Sequence, residues 1–267
     1  MAPKVSVVMS VYNEERHVEE AIRSILDQTF KDFEFIVVDD GSTDKTPQIL
    51  RSFSDPRLKI IRQRNMGLTK ALNRGISLAE GEYIARMDAD DVSLPERLER
   101  QVKFLDENPE VGIVGTAYYE IDAEGRILGR ERFPTRDEDL RKVPIRYNPF
   151  FHASVMIRRT VFEKVGLYDE SFPYAQDYEL WFRVARHFKL ANLPEFLMMR
   201  RYERKNISVA LERQQIKCSV RARLKAIREG QYPRYCYIYV VKPALALVTP
   251  APVGNWIRRH ILKSRKW

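Results

Sequence analysis

"KVSVVMSVYNEERHVEEAIRSILDQTFKDFEFIVVDDGSTD", residues Lys4 to Asp44, decides the fold. The Val-rich run "KVSVVMS" reads as a strand. Val18, Ala21, Ile22, Ile25 and Leu26 then recur at i, i+3, i+4, i+7 and i+8, one face of a helix. "FEFIVVDD" is a second strand. A strand, a helix and another strand in that order imply a parallel pair with the helix packed across it.

The alternation continues. "STDKTPQILRSF" opens with cap residues and makes a short helix. "LKIIRQ" is a third strand, "LTKALNRGISLAE" a third helix closed by Gly81, and "EYIARM" a fourth strand. "SLPERLERQVKFLDEN" is predicted to start at Ser93 as N-cap, with Pro95 in the first turn and Glu96 completing a capping box. The expected fold is α/β, a mostly parallel sheet flanked by helices. Later segments are less regular. "VGIVGTAYYEI" is a strand, and "FFHASVMIRRTVFEKVG" a strand followed by a short helix. "AQDYELWFRVARHF" is a helix with Tyr178, Trp181, Val184, Ala185 and Phe188 on one side. "EFLMMRRY" is a late strand, and "SVALERQQIKCSVRARLKAIREG" a long basic amphipathic helix.

The chain has 267 residues, enough for a sizeable core, and its 44% hydrophobic content is that of a globular protein. Two cysteines with no CxxC exclude a disulfide framework and a thiolate metal site, and fit a reducing cytosol. "MAPKVSVVMSVYNEE" reads as a first strand rather than a signal peptide. The net charge of +9 is uneven. Arg200 to Trp267 holds 17 basic and 3 acidic residues, or +14; the remainder holds 29 and 34, or −5. A mildly acidic body carries a strongly basic tail.

In sheets of this kind, ligands bind beyond the carboxyl ends of the strands. Three acidic or polar strand ends meet there: "SVYNEE", "DDGSTD" and "DADD". Asp88 and Asp90, with one residue between them, can approach one hard cation such as Mg²⁺ or Mn²⁺, as a diphosphate leaving group requires. Taken alone, the same spacing also suits a solvated turn that caps the next helix. In "VVDDGSTD", Gly41, Ser42 and Asp44 shape a turn, while Asp39 or Asp40 faces a ligand. Tyr12 offers a ring for stacking on a base, or is an ordinary edge tyrosine.

Together, "VSVVMSVYNEE", "VVDDGSTD", "AEGEYIARMDADD" and "YAQDYELWFRV" resemble the inverting family 2 glycosyltransferases of the GT-A fold, over about Lys4 to Ser208. The resemblance implies a nucleotide-sugar donor, often UDP- or dTDP-linked. It implies that Ser10, Tyr12 and Asp40 contact the base with Asp39 nearby. Asp88 would face the ribose or sugar, and Asp90 would ligate Mn²⁺ or Mg²⁺. Asp177 matches the family's catalytic base, with Gln176 where the family commonly has Glu. As a helix N-terminal acid, Asp177 is expected to have its pKa depressed by the macrodipole. Arg201 or Lys205, in "MMRRYERKNIS", is assigned to the diphosphate, with Lys70 and Asn73 as weaker candidates on the nucleotide side. No Gln/Arg-x-x-Arg-Trp pattern is present, so one sugar is expected per turnover rather than processive synthesis. His152, flanked by aromatics, is expected to be a packed core residue.

The division expected is residues 1–208 as the catalytic domain and 209–267 as a basic helical C-terminal extension. Prolines and Lys242 interrupt "YCYIYVVKPALALVTPAPV", so no spanning helix is expected. The extension suits contact with the inner face of a membrane, or packing on the domain or on a second subunit as a homo-oligomer. The expected role is cytoplasmic: transfer of a sugar to a saccharide or lipid-linked saccharide acceptor, in polysaccharide or glycolipid assembly. A dehydrogenase or a nucleotidyltransferase would need glycines after the first strand, which "SVYNEE" lacks. Nucleic-acid binding does not explain three acidic strand ends. A donor-binding protein without turnover is the alternative.

Overall fold

The structure, a computed structural model, describes residues 2–203 and 212–248. Strands β1 (Val5–Val11), β2 (Phe33–Asp39), β3 (Leu58–Arg62) and β4 (Tyr83–Asp88) alternate with helices α1 (Val18–Leu26), α2 (Thr46–Arg51) and α3 (Leu68–Ser77). Then come β5 (Val92–Ser93), α4 (Arg97–Glu107), β6 (Val111–Ile121), β7 (Ile127–Glu131), α5 (Asp137–Leu140) and β8 (Met156–Arg158). The remaining elements are α6 (Arg159–Val165), α7 (Gln176–Val184), β9 (Lys189–Arg201), α8 (Glu212–Arg228) and α9 (Ile238–Val248).

One sheet runs in the order β3-β2-β1-β4-β8-β6-β9-β5, with β7 paired to β6. The first four strands are parallel, as the alternation predicts. The short β8 then runs antiparallel to both β4 and β6, so the sheet is mixed. Its composition follows from burial. β1 and β2 are covered on both faces, hence their nearly unbroken apolar runs.

The two-residue period sorts side chains to opposite faces. Val5, Val7, Met9 and Val11 pack with Ile22 and Ile25 of α1 and with Leu98 and Val102 of α4. Val8 and Ile84 point the other way, into a cluster with Leu72 of α3 and Trp181 of α7. Arg86 and Asp88 share the parity of Ile84, so the same alternation directs them toward the α7 side. Burying a Leu or Ile fully is worth about 1.5–3 kcal/mol, so these two layers are the main source of stability.

Two local expectations fail. Ser93 is not a helix cap; it lies in β5, opposite Met198 of β9, and its buried hydroxyl faces the Gln28 amide at 3.2 Å. α4 starts at Arg97 instead. The late strand is longer than predicted and spans Lys189–Arg201, because its first half pairs in parallel with β6.

α8 is seated on the body. Ala222 and Ala226 are buried in the Trp181 cluster, and the Arg223 guanidinium donates to the carbonyls of Ile145 and Arg146. Among the described residues, no helix is long and apolar enough to cross a membrane.

Candidate functional site

Strand register assembles the site. At the carboxyl edge, Ser10 lies beside Val38 on one side and Asp88 on the other, and Val11 lies beside Asp39. Residues far apart in sequence therefore end at one level of the sheet. Ser10 is half-buried and Tyr12 is 50% exposed, leaving its ring accessible.

The loops after β1 and β2 are laced together. Asn13 Oδ1 accepts from the Thr43 amide at 2.8 Å, and the Asn13 amide donates to Ser42 Oγ at 3.0 Å. Asn13 holds φ 51°, a costly conformation for a residue with a side chain, which these bonds maintain. Gly41 is at φ 82°, and a Cβ there would lie 2.7 Å from the Asn65 amide nitrogen, so only glycine fits. Asp39 and Asp40 are both buried. Asp39 accepts from the Ser42 amide at 2.8 Å and lies 3.4 Å from Arg62. Asp40 accepts from Gln63 Nε2 and from the amides of Met66 and Gly67, at 2.7 to 2.9 Å. Both Asp40 oxygens thus hold the loop leading into α3, a scaffolding task.

After β4 the chain turns through Asp88, Asp90 and Asp91. An oxygen from each can be chosen so that all lie within 4.8 Å of one another. Burial, together with the charges of Asp88 and Glu14, pushes Asp90 up to about 7. Burial and its two acidic neighbours hold Asp91 well above the carboxylate range. Such crowding is relieved by a divalent cation, and an all-oxygen donor set suits Mg²⁺ or Mn²⁺. The residues present fit such an ion.

Arg201, assigned to the diphosphate by the resemblance, lies directly beside the acidic turn. It is buried, its amide donates to Asp91 Oδ1 at 2.8 Å, and its Nε donates to the Asp90 carbonyl at 2.9 Å. Its terminal nitrogens reach the carbonyls of Asp122 and Ala123 and the Glu20 carboxylate. A buried guanidinium requires such partners, and here they make it a strut under the acidic turn. Lys205 lies outside the described residues. Lys70 is exposed on α3. Asn73 is buried, and its amide clamps the backbone of Tyr168 from both sides.

Across the edge, Asp177 stands in the first turn of α7, preceded by Ala175 at φ 52°. Asn148 Nδ2 donates to Asp177 Oδ2 at 2.7 Å, while Asn148 Oδ1 accepts from the Trp181 indole at 3.0 Å. The indole thereby fixes which end of the amide meets the carboxylate. Contrary to the macrodipole expectation, the Asp177 pKa is raised. Burial outweighs the Asn148 amide, the nearby backbone N–H groups and the Arg86 charge that favour ionisation.

The sequence reading missed Arg86, which links the two groups of acids. It is 3% exposed, and its Nη1 lies 2.6 Å from Asp88 Oδ1 as an ion pair rather than an aligned hydrogen bond. Its charge acts on Asp90, Asp177 and His152 together. A lone arginine inside an apolar strand, two residues before the first acid, was the available signal. His152 packs edge-on to Tyr168 and Trp181, with Nε2 2.8 Å from the Tyr168 hydroxyl. Burial, then the Arg86 charge, keeps it neutral.

This fold and edge define a class. The family profile described as Glycosyl transferase family 2 matches residues 6–166, and the chain belongs to that family. It is 34% identical to a putative glycosyltransferase, EpsE, of Bacillus subtilis, over 99% of this chain and 96% of that protein. It is 33% identical to the amylovoran biosynthesis glycosyltransferase AmsE of Erwinia amylovora, over 72% of this chain and 74% of that one. Among solved structures, S. aureus TarS 1-349 in complex with UDP-GlcNAc superposes with a TM-score of 0.72 at 19% identity, covering 96% and 79% of the two chains. The mannosyltransferase PcManGT of Pyrobaculum calidifontis, in complex with GDP-Man and Mn²⁺, gives 0.67 at 22% identity, covering 97% and 79%. These likenesses show the fold, which is GT-A.

Proposed function

We propose that the protein transfers one sugar from a nucleotide-sugar, UDP- or dTDP-linked, to an acceptor hydroxyl with inversion of configuration. The supporting observation is the pairing of a three-carboxylate cluster with a separately held base, Asp177, across Arg86 on one sheet edge. In this reading Asp90 and Asp88 hold Mn²⁺ or Mg²⁺, which when bound neutralises charge on the diphosphate. Ser10, Tyr12 and Asp39 border the base, Asp40 shapes the pocket wall, and Lys70 and Arg201 lie outside direct contact.

Asp177, as the carboxylate, accepts the proton of the acceptor hydroxyl. The freed oxygen forms its bond to the anomeric carbon from the face opposite the diphosphate. The bond from that carbon to the diphosphate oxygen breaks, and the nucleoside diphosphate leaves with the electron pair. Asn148 aims Asp177, and its raised pKa makes it a stronger proton acceptor than an exposed aspartate. Arg86 holds Asp88 and opposes the accumulated negative charge.

Residues 1–208 act as the transferase unit, and 209–267 as an extension that brings it to the membrane. The acceptor is a saccharide or lipid-linked saccharide in polysaccharide or glycolipid assembly, a reading supported by the printed role of AmsE. Thermal-shift screening of nucleoside diphosphates with and without Mn²⁺ tests this. Stabilisation by at least one that depends on the ion is expected. No stabilisation by any of them would overturn the reading.

A further inference from the structure

The C-terminal helices carry a face that the site does not use. α9 seats Val240 against Ile227, Ile145 and Cys236. Its other side holds Ile238 and Val241, which are 66% and 52% exposed, with Lys242 between them and Leu245, also exposed, one turn on. The spacing i, i+3, i+4, i+7 makes these one outward stripe. Tyr235 and Tyr237, just before the helix, are 75% and 40% exposed, and Arg234 beside them is exposed as well. A solvated helix presents polar residues on its outward face; this one presents aliphatic and aromatic residues beside cations.

A groove of about 500 Å³ lies against α8, with Lys217 and Arg228 beside an apolar lining of Val220, Leu224 and Leu247; Arg221, also on its wall, is turned to Ser171 and Phe172 of the body. Lys225 and Glu229 at its edge are held in ion pairs with Glu179 and Arg186 of the body. Residues 212–248, which include both helices, hold 8 basic and 2 acidic residues, or +6.

We infer that this face docks on an anionic phospholipid bilayer, with Tyr235, Ile238 and Val241 entering the headgroup boundary. Arg234 and Lys242, together with the α8 groove, take lipid phosphates. The inference deepens the membrane role proposed above but does not depend on the transfer chemistry. Charge selects the partner: two copies of so basic a face repel, whereas an anionic leaflet attracts each basic residue within a Debye length. Apolar stripes flanked by cations and tyrosines are the chemistry of helices that lie in the interface.

The test is co-sedimentation of the full chain with phosphatidylcholine vesicles, with and without phosphatidylglycerol, over a salt series. Binding to the anionic vesicles alone, weakened by salt, is expected. Arg234→Glu/Lys242→Glu should lower partitioning at least tenfold, since each basic residue near an anionic surface contributes on the order of fivefold. Ile238→Asp/Val241→Asp should also abolish binding, with Ile238→Ser/Val241→Ser as the milder pair if the first lowers the melting temperature. Three results would overturn the inference: no anionic binding at low salt, binding indifferent to both variant pairs, or a solution dimer that the apolar variants dissociate. Mn²⁺-dependent nucleoside diphosphate binding, measured on the same preparations, separates this outcome from failure of the site reading.

Discussion

Replacing Asn148 by Leu removes one hydrogen bond to the proposed base and leaves the base itself in place. The amide donates to Asp177 Oδ2 at 2.7 Å and is the foremost of the groups that oppose burial in setting the Asp177 pKa. A hydrogen bond to a charged group is worth about 1.5–3 kcal/mol. Its loss shifts the Asp177 pKa further upward. The direction is fixed because the amide favours the ionised form, and that form is the one that accepts the proton. The acidic limb of the kcat/KM profile should therefore move to higher pH, with activity partly recovered above the new pKa. Trp181→Phe frees the amide to rotate without deleting it and should give a smaller shift of the same sign. An acidic limb that stays in place in Asn148→Leu, with an unchanged plateau, would refute the assignment of Asp177 as base.

Other outcomes follow from the same geometry. Because Asp177 is raised above its unfolded value, the native state favours its protonated form, and stability is lost as pH rises through the folded pKa. Asp177→Asn should melt at or above the wild-type temperature at pH 8, an advantage that shrinks toward pH 4, read by calorimetry. Asp90, pushed up to about 7, and Asp91 have the same sign, so Mn²⁺ should raise the melting temperature more at pH 8 than at pH 5. Arg201→Ala leaves the part-buried carbonyls of Asp90, Asp122 and Ala123 without this donor and should cost about 3 kcal/mol in denaturant unfolding, consistent with a strut.

The parallel half of the sheet was legible because residues such as Val5 to Val11 and Phe33 to Asp39 are covered on both faces, and burial leaves its mark on composition. β7 was missed because Ile127 and Leu128 are exposed at the sheet's edge, without the buried alternation that marks a strand. The acidic cluster was legible because Asp88, Asp90 and Asp91 are adjacent in sequence. The burial of Arg201 was not legible, because a run of basic residues looks the same whether solvated or buried. The four carbonyl and carboxylate partners of its guanidinium come from segments up to 181 residues away. Asn148 and Arg86 gave weak signals, since their roles arise only where α7, the loop before β8 and β4 converge. The Asp177 pKa was read with the wrong sign for a similar reason: the helix terminus is visible in sequence, whereas the burial that outweighs it is not.

In the proposed reaction Asp88 and Asp90 hold a donor diphosphate through a metal ion while Asp177 performs the proton transfer. Titration calorimetry of the stabilising nucleoside diphosphate, paired with donor turnover, for wild type and Asp177→Asn, tests it most directly. Asp177→Asn should preserve Mn²⁺-dependent binding within about twofold and reduce turnover by on the order of 10²–10⁴. Wild-type turnover by Asp177→Asn, or nucleotide binding indifferent to Mn²⁺, would contradict it.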